Sequence, residues 1–249
     1  MAQEGVITIR SDYWCPYICD PHSSRPGYMV EAVKAIFEKQ GYQVDFKVTN
    51  RARAIKEVRK NKINALLGGH KDHKGFIVPT KSVGSVSNYL FAKPTAFWSY
   101  KNGSSIKGKR IGIINGYSYG NEIDQLIRSH PDSFVVISGE RPLKQILKMM
   151  EADRLDGFIE NPAVLKYLLG SLHKSLETYK IASANLATES LVYLSFAPMH
   201  PQSELYSSVF SKGMIQLRKT GELRQILEKY GMKDWEETPL LSIAKGPRP

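Results

Sequence analysis

The chain has 249 residues, 42% of them hydrophobic and 24% charged, and 35 Lys and Arg against 24 Asp and Glu give a formal net charge of +11. This apolar content suffices for a packed core and excludes a disordered chain, and no apolar run approaches the roughly 18 to 20 residues that a membrane span needs. Two cysteines are too few for a disulfide-dense scaffold or a four-cysteine metal site. The basic residues are spread along the whole length, so we expect a basic solvated surface and no nucleic-acid partner.

The first part of the chain alternates predicted strands with predicted helices. Strand periodicity occurs at 6–10, 43–49 and 65–67, and helix periodicity at 28–40 and 51–61. A loop rich in Pro, Cys and aromatic residues lies between the first strand and the first helix, at 11–27. This β-α-β-α-β order is typical of a parallel sheet with helices on its faces.

The same order begins again after a middle segment, 82–105. Strands are predicted at 109–114, 134–137 and 156–159, and helices at 121–128, 142–151 and 162–169. Proline in the first turn of the last of these helices fits, because its missing N–H costs nothing there. The chain therefore contains two similar α/β units.

The rest of the chain connects and completes these units. Extended segments are predicted at 88–92, 179–182 and 191–197, and helices at 204–219 and 221–230. Two crossing segments, 88–92 and 191–197, predict an α/β clamshell with its cleft at the carboxyl ends of the strands. We expect residues 1–90 and 194–249 in the first lobe, 91–193 in the second, and a flexible tail at 239–249.

Several short motifs occur in an order that is known from one protein family. They are DYWCPY at 12–17, PGYMVE at 26–31, RARA at 51–54, NKINA at 61–65, IKGKRIG at 106–112, GYSYG at 116–120 and RLDGFI at 154–159. With them the chain resembles the periplasmic solute-binding proteins of ABC importers, specifically the polar amino-acid type (family 3), which have the type II periplasmic-binding-protein fold. The resemblance runs from residue 6 to about residue 235.

The resemblance implies a receptor that is not an enzyme and needs no cofactor. Such a protein would capture a small polar solute, an amino acid or a related carboxylate, by hinge closure and present it to an ABC permease or a membrane receptor. It would be a periplasmic monomer whose leader sequence is absent from this chain.

The chain departs from the family at two positions that usually hold the amino acid. Family members carry a T-x-x-R motif after the third strand, and its Arg grips the ligand carboxylate, but the segment 68–74 contains no Arg. The family's acidic residue for the ligand ammonium group also looks replaced, because Asn161 follows Glu160 at that point. The identity of the ligand therefore stays open.

The candidate ligand-binding residues all lie near the predicted carboxyl ends of strands. Flat aromatic faces suit an apolar or cationic group, an Arg can read a carboxylate, and backbone N–H groups at a helix start can bind an anion. Tyr17 is interpreted as part of a hydrophobic loop cluster. The candidates are Tyr13, Trp14, Arg51, Arg53, Gly69, Tyr117, Ser118, Tyr119, Glu160 and Asn161.

Other polar residues are interpreted as structural. His70, Asp72 and His73 predict no metal site, because Lys71 and Lys74 in the same loop repel a cation. For Cys15 and Cys19 we favour a disulfide closing a short loop, which would place the protein in an oxidising compartment, over two free thiols.

Two enzymatic alternatives remain open at this stage. One is a cyclohexadienyl dehydratase-like enzyme on the same scaffold, for which Glu160 is a candidate acid or base without a clear partner. The other is a thiol oxidoreductase using Cys15 and Cys19. Its spacing has three intervening residues instead of two, and Pro21 disfavours the helix that such sites use.

Overall fold

A computed structural model describes residues 5–71, 75–184, 186 and 190–237. In this part of the chain the strands form two five-stranded sheets. The first sheet contains β1 (Gly5–Ser11), β2 (Tyr42–Val48), β3 (Ala65–Gly69), β4 (Gly84–Val86) and β10 (Ser190–Phe196). The second sheet contains β5 (Tyr89–Ala92), β6 (Ile111–Ile114), β7 (Phe134–Ile137), β8 (Gly157–Glu160) and β9 (Lys180–Ile181).

The two sheets are built on the same plan. The first has the order β2-β1-β3-β10-β4 and the second β7-β6-β8-β5-β9. In each, three parallel strands are followed by two strands that pair antiparallel to their neighbours. The predicted α/β class and the two similar units are confirmed.

Seven α-helices cover the sheets in the described residues. They are α1 (Tyr28–Glu38), α2 (Arg51–Arg59), α3 (Asn121–Ser129), α4 (Pro142–Glu151), α5 (Pro162–Ser171), α6 (Ser203–Lys219) and α7 (Glu222–Glu228). Helices α1, α6 and α7 pack on one another, so the end of the chain returns to the first lobe. Helix α4, for example, buries an apolar face with Ile146, Leu147 and Met150 and packs against β6 and β7. No helix in this part of the chain has the length and apolar character needed to cross a membrane.

The chain passes between the lobes twice. It leaves the first sheet after Val86 and enters the second at Tyr89, and it returns between Ile181 and Ser190. The predicted crossing segments, 88–92 and 191–197, lie mostly inside strands, because backbone hydrogen bonds hold β5 in the second sheet and β10 in the first. The predicted tail, 239–249, lies outside the described residues.

Candidate functional site

Residues at the carboxyl ends of the parallel strands of both sheets meet between the lobes, where two cavities lie side by side. The smaller, here called the polar cavity, measures about 20 Å³, little more than one water molecule requires. The larger, here called the aromatic cavity, measures about 250 Å³. Trp14 and Tyr117 line both of them, with ring centroids 6.3 Å apart in an edge-to-face arrangement.

Arg51 and Asp12 form a buried ion pair at the polar cavity. Asp12 follows β1 directly, and Arg51 is the first residue of α2, whose start is capped by the Asn50 side chain. The Arg51 guanidinium lies 3.6 Å from the Asp12 carboxylate and donates hydrogen bonds to the carbonyl oxygens of Leu67, at 3.1 Å, and Gly68. Both side chains are more than nine-tenths buried, so neither charge is screened by solvent.

Tyr117 brings the second lobe onto this ion pair. Its hydroxyl donates a hydrogen bond to Asp12, and the Arg51 guanidinium lies 5.8 Å from the centre of its ring. Burial, followed by the charge of Asp12, raises the pKa of the Tyr117 hydroxyl well above its ordinary value, so it stays a donor. Gly116 permits the approach, since it has a φ of +83° and a Cβ there would lie 3.3 Å from the Arg51 side chain.

The rest of the 116–120 loop does not match the predicted anion site. The Ser118 hydroxyl donates to the Asp124 carboxylate at 2.6 Å, and the Tyr119 backbone N–H donates to the same carboxylate at 2.8 Å. Asp124, in the first turn of α3, thus already supplies the negative charge that this helix start favours. Ser118 lines the polar cavity with its hydroxyl engaged. Tyr119 instead lies in the core of the second lobe, and its hydroxyl accepts the N–H of Ile114.

Glu160 is the last residue of β8, in the second lobe, and it contacts Trp14 of the first lobe. Its Oε1 accepts the Asn161 backbone N–H at 2.8 Å and the Trp14 indole N–H at 3.4 Å. Its Oε2 is buried and has no hydrogen-bond partner among the described residues. Burial raises the pKa of the Glu160 carboxyl to about 7, so its charge is poorly compensated in this conformation.

Asn161 has a structural role at the same junction. Its Oδ1 caps α5 by accepting the N–H of Ala163 at 2.8 Å and also accepts the Tyr17 hydroxyl at 3.3 Å, while its amide donates to the Ser87 carbonyl at 3.0 Å. Of the two residues that the sequence singles out here, Glu160 lines the aromatic cavity, and Asn161 holds the lobes and the crossing segment together.

The structure separates two other candidates from the cleft. Arg53 is exposed and pairs with Glu57 at 2.8 Å on the outer face of α2, because two helical steps turn it to the side opposite Arg51. Gly69 lies inside β3, where an added Cβ would stand 2.1 Å from the Ser195 Oγ. Its lack of a side chain therefore serves the packing of β3 on β10.

The aromatic cavity includes residues that sequence reasoning missed. Tyr13, one of the predicted residues, lines it with the Arg141 guanidinium 4.7 Å from its ring centre. The remaining wall comes mainly from the start of α4 and the inner face of α5. The amphipathic pattern of these helices predicts their apolar faces but not that some of those residues border a cavity. Asp12 was also missed, although a polar residue directly after a buried strand is a usable signal.

The structure confirms the favoured interpretation of the two cysteines. Cys15 and Cys19 form a disulfide, and both are almost completely buried, so neither is accessible to a thiol partner. His70 lines the polar cavity. Asp72 and His73 lie outside the described residues, and no group of potential metal ligands occurs within them.

Comparison with known proteins identifies relatives of similar sequence and fold. The chain is 21% identical over 225 residues to the "Probable amino-acid-binding protein YxeM" of Bacillus subtilis (strain 168), covering 88% of this chain and 81% of that protein. Its fold is similar to a "Putative L-Cystine ABC transporter" from Listeria monocytogenes, with a TM-score of 0.74, 17% identity, and coverage of 90% of this chain and 95% of that one. A mutant of ArgBP from T. maritima has a TM-score of 0.73 and 12% identity, with coverage of 91% and 95%.

These relatives are binding proteins and not enzymes, as the sequence analysis expected. The sequence profile of one family matches residues 7–233, nearly the whole chain. The chain belongs to the bacterial extracellular solute-binding proteins, family 3.

Proposed function

We propose that this protein captures a small polar solute between its lobes by hinge closure, outside the cytoplasm, and delivers it to an ABC importer or a membrane receptor. The observation that carries the proposal is the set of polar contacts between the lobes. Tyr117 binds Asp12, Trp14 binds Glu160, and Tyr17 binds Asn161. All six side chains are in or next to the loops where a ligand of a two-lobed α/β protein binds.

The position of the aromatic cavity supports closure as the mechanism. Residues of both lobes, such as Trp14 and Glu160, line this cavity of about 250 Å³, so a solute held there contacts both lobes only when they are together. Closure then exchanges contacts between lobe and solvent for contacts between lobe, solute and lobe, and the solute shifts the equilibrium by its extra affinity for the closed form. The disulfide between Cys15 and Cys19 supports a location in an oxidising compartment.

A ligand screen tests this function. The twenty amino acids, small carboxylates and dipeptides would be tested for a rise in melting temperature, and calorimetry would measure the affinity of each positive compound. We expect at least one to bind and to compact the protein in small-angle X-ray scattering. If no compound in the panel binds, or if binding leaves the scattering profile unchanged, the proposal is wrong.

Two variants make the screen specific to the cleft. Tyr117→Phe removes the hydroxyl that joins the lobes at Asp12, and we expect it to weaken solute binding and favour the open form. Arg53→Gln changes an exposed residue on the outer face of α2, away from the cleft, and serves as the control. Equal effects of the two variants would contradict a closure mechanism that depends on the polar cavity.

A further inference from the structure

The aromatic cavity, which lies beside the polar cavity, has the size and lining of a ligand site. Four aromatic rings, from Tyr13, Trp14, Tyr117 and Tyr167, border it together with apolar residues of α4 and α5 such as Leu143 and Leu168. Its volume of about 250 Å³ is many times what one water needs. Its walls would hold the apolar part of a ligand of amino-acid size.

The polar group at this cavity is a buried carboxylate with unused hydrogen-bonding capacity. Glu160 is 2% exposed, and its Oε2 lacks a hydrogen-bond partner among the described residues. A buried acceptor of this kind is costly unless a donor reaches it. A protonated amine supplies both the donor and the opposite charge.

The cations beside the cavity do not cancel this preference. Arg141 and Lys144 also line it, but both residues are exposed, so water and salt screen their charges. Arg141 also lies over the Tyr13 ring. The charge of Glu160 is buried and therefore acts more strongly on a bound group.

We propose that the aromatic cavity binds a small primary amine with an apolar, preferably aromatic, body, whose ammonium group pairs with Glu160. This deepens the proposed function, on which it rests, because it names the class of solute that the closing lobes enclose. The two lobes contribute to the cavity in complementary ways. Trp14 and Tyr13 come from the first lobe, and Glu160 and α5 from the second, so only the closed form has the complete site.

Three probe compounds test this ligand class by calorimetry at pH 8. Phenethylamine has the amine and the aromatic body, 3-phenylpropionate replaces the amine by a carboxylate, and glutamine has a polar side chain. We expect phenethylamine to bind about 10- to 100-fold more tightly than 3-phenylpropionate, the range for a hydrogen bond to a charged group. Equal or tighter binding of 3-phenylpropionate would overturn the proposal.

Glutamine separates the two proposals. If glutamine binds and compacts the protein while phenethylamine does not bind, the ligand class is wrong and the solute-capture function stands. If no solute in this set or in the broader screen binds, the function fails as well.

Two variants locate the binding. Glu160→Gln keeps the shape but removes the charge, and we expect it to abolish the preference for phenethylamine. Glu151→Gln is the matched control, since Glu151 is an exposed acid in the same lobe that pairs with Lys174. Leu168→Trp fills the cavity without changing Glu160 and should also prevent phenethylamine binding, with folding verified by circular dichroism. Unchanged phenethylamine binding in both Glu160→Gln and Leu168→Trp would overturn the assignment.

Discussion

The buried ion pair of Arg51 and Asp12 allows a sharp test of how the cleft is stabilised. Arg51→Gln would leave the Asp12 carboxylate buried without its cation, and the carbonyl oxygens of Leu67 and Gly68 without their charged donor. Breaking a buried pair in this way costs about 3 to 5 kcal/mol. In a chain of this size, about 2 to 4 °C is lost for each kcal/mol, so we expect the melting temperature to fall by about 6 to 20 °C.

Differential scanning calorimetry measures this effect, with Arg53→Gln as the control. Arg53 is the same residue type two positions later, but it is exposed and its pair with Glu57 lies on the helix surface. Exposed pairs of this kind contribute little, so the control should melt close to the original protein.

A double variant checks the physical reason for the loss. If the cost of Arg51→Gln comes from an unpaired carboxylate, adding Asp12→Asn should recover a large part of the stability, since the buried charge is then gone. Similar melting temperatures for Arg51→Gln and Arg53→Gln, or no recovery in the double variant, would refute the reasoning.

Three further predictions concern other parts of the site. Burial raises the pKa of the Glu160 carboxyl from 4.5 to about 7, so the stability that its protonated form contributes should be present below pH 4.5 and be lost as the pH rises through about 7. The melting temperature should therefore change less with pH in Glu160→Gln than in the original protein, and an identical pH dependence would contradict this. Removing the disulfide between Cys15 and Cys19, which are four positions apart, in a Cys15→Ser, Cys19→Ser variant should cost about 2 kcal/mol by loop-closure entropy. This would be seen as a melting temperature below that of the original protein, and equal melting temperatures would contradict it. Gly69→Ala should destabilise by about 1 to 3 kcal/mol in urea unfolding, since the new Cβ would meet Ser195, and adding Ser195→Ala should recover part of this; a neutral Gly69→Ala would show that the strands adjust freely.

Much of the fold follows from local patterns in the sequence. The helix predicted at 142–151 has the observed bounds of α4, because Pro142 sets its start and its apolar residues recur at helical spacing. The strand β4 was missed. It has three residues, too few to show a periodicity, and it is held by pairing with β10 more than 100 positions away.

The candidate site was harder to predict, because side-chain orientation depends on packing. The spacing of Arg51 and Arg53 shows that they face opposite sides of a helix, but only the position of α2 against β3 shows which one enters the cleft. The orientation of the Tyr119 side chain also depends on packing. Its place in the 116–120 loop predicts a ligand contact, whereas its hydroxyl is held by the Ile114 N–H in the core.

Small-angle X-ray scattering with and without a solute of measured affinity tests most directly whether the two lobes close on it. At saturation we expect a profile that matches the closed structure, in which Tyr117 reaches Asp12 across the cleft, and a larger radius of gyration when the solute is removed. Identical profiles for the empty and the saturated protein, with binding verified by calorimetry on the same samples, would contradict closure.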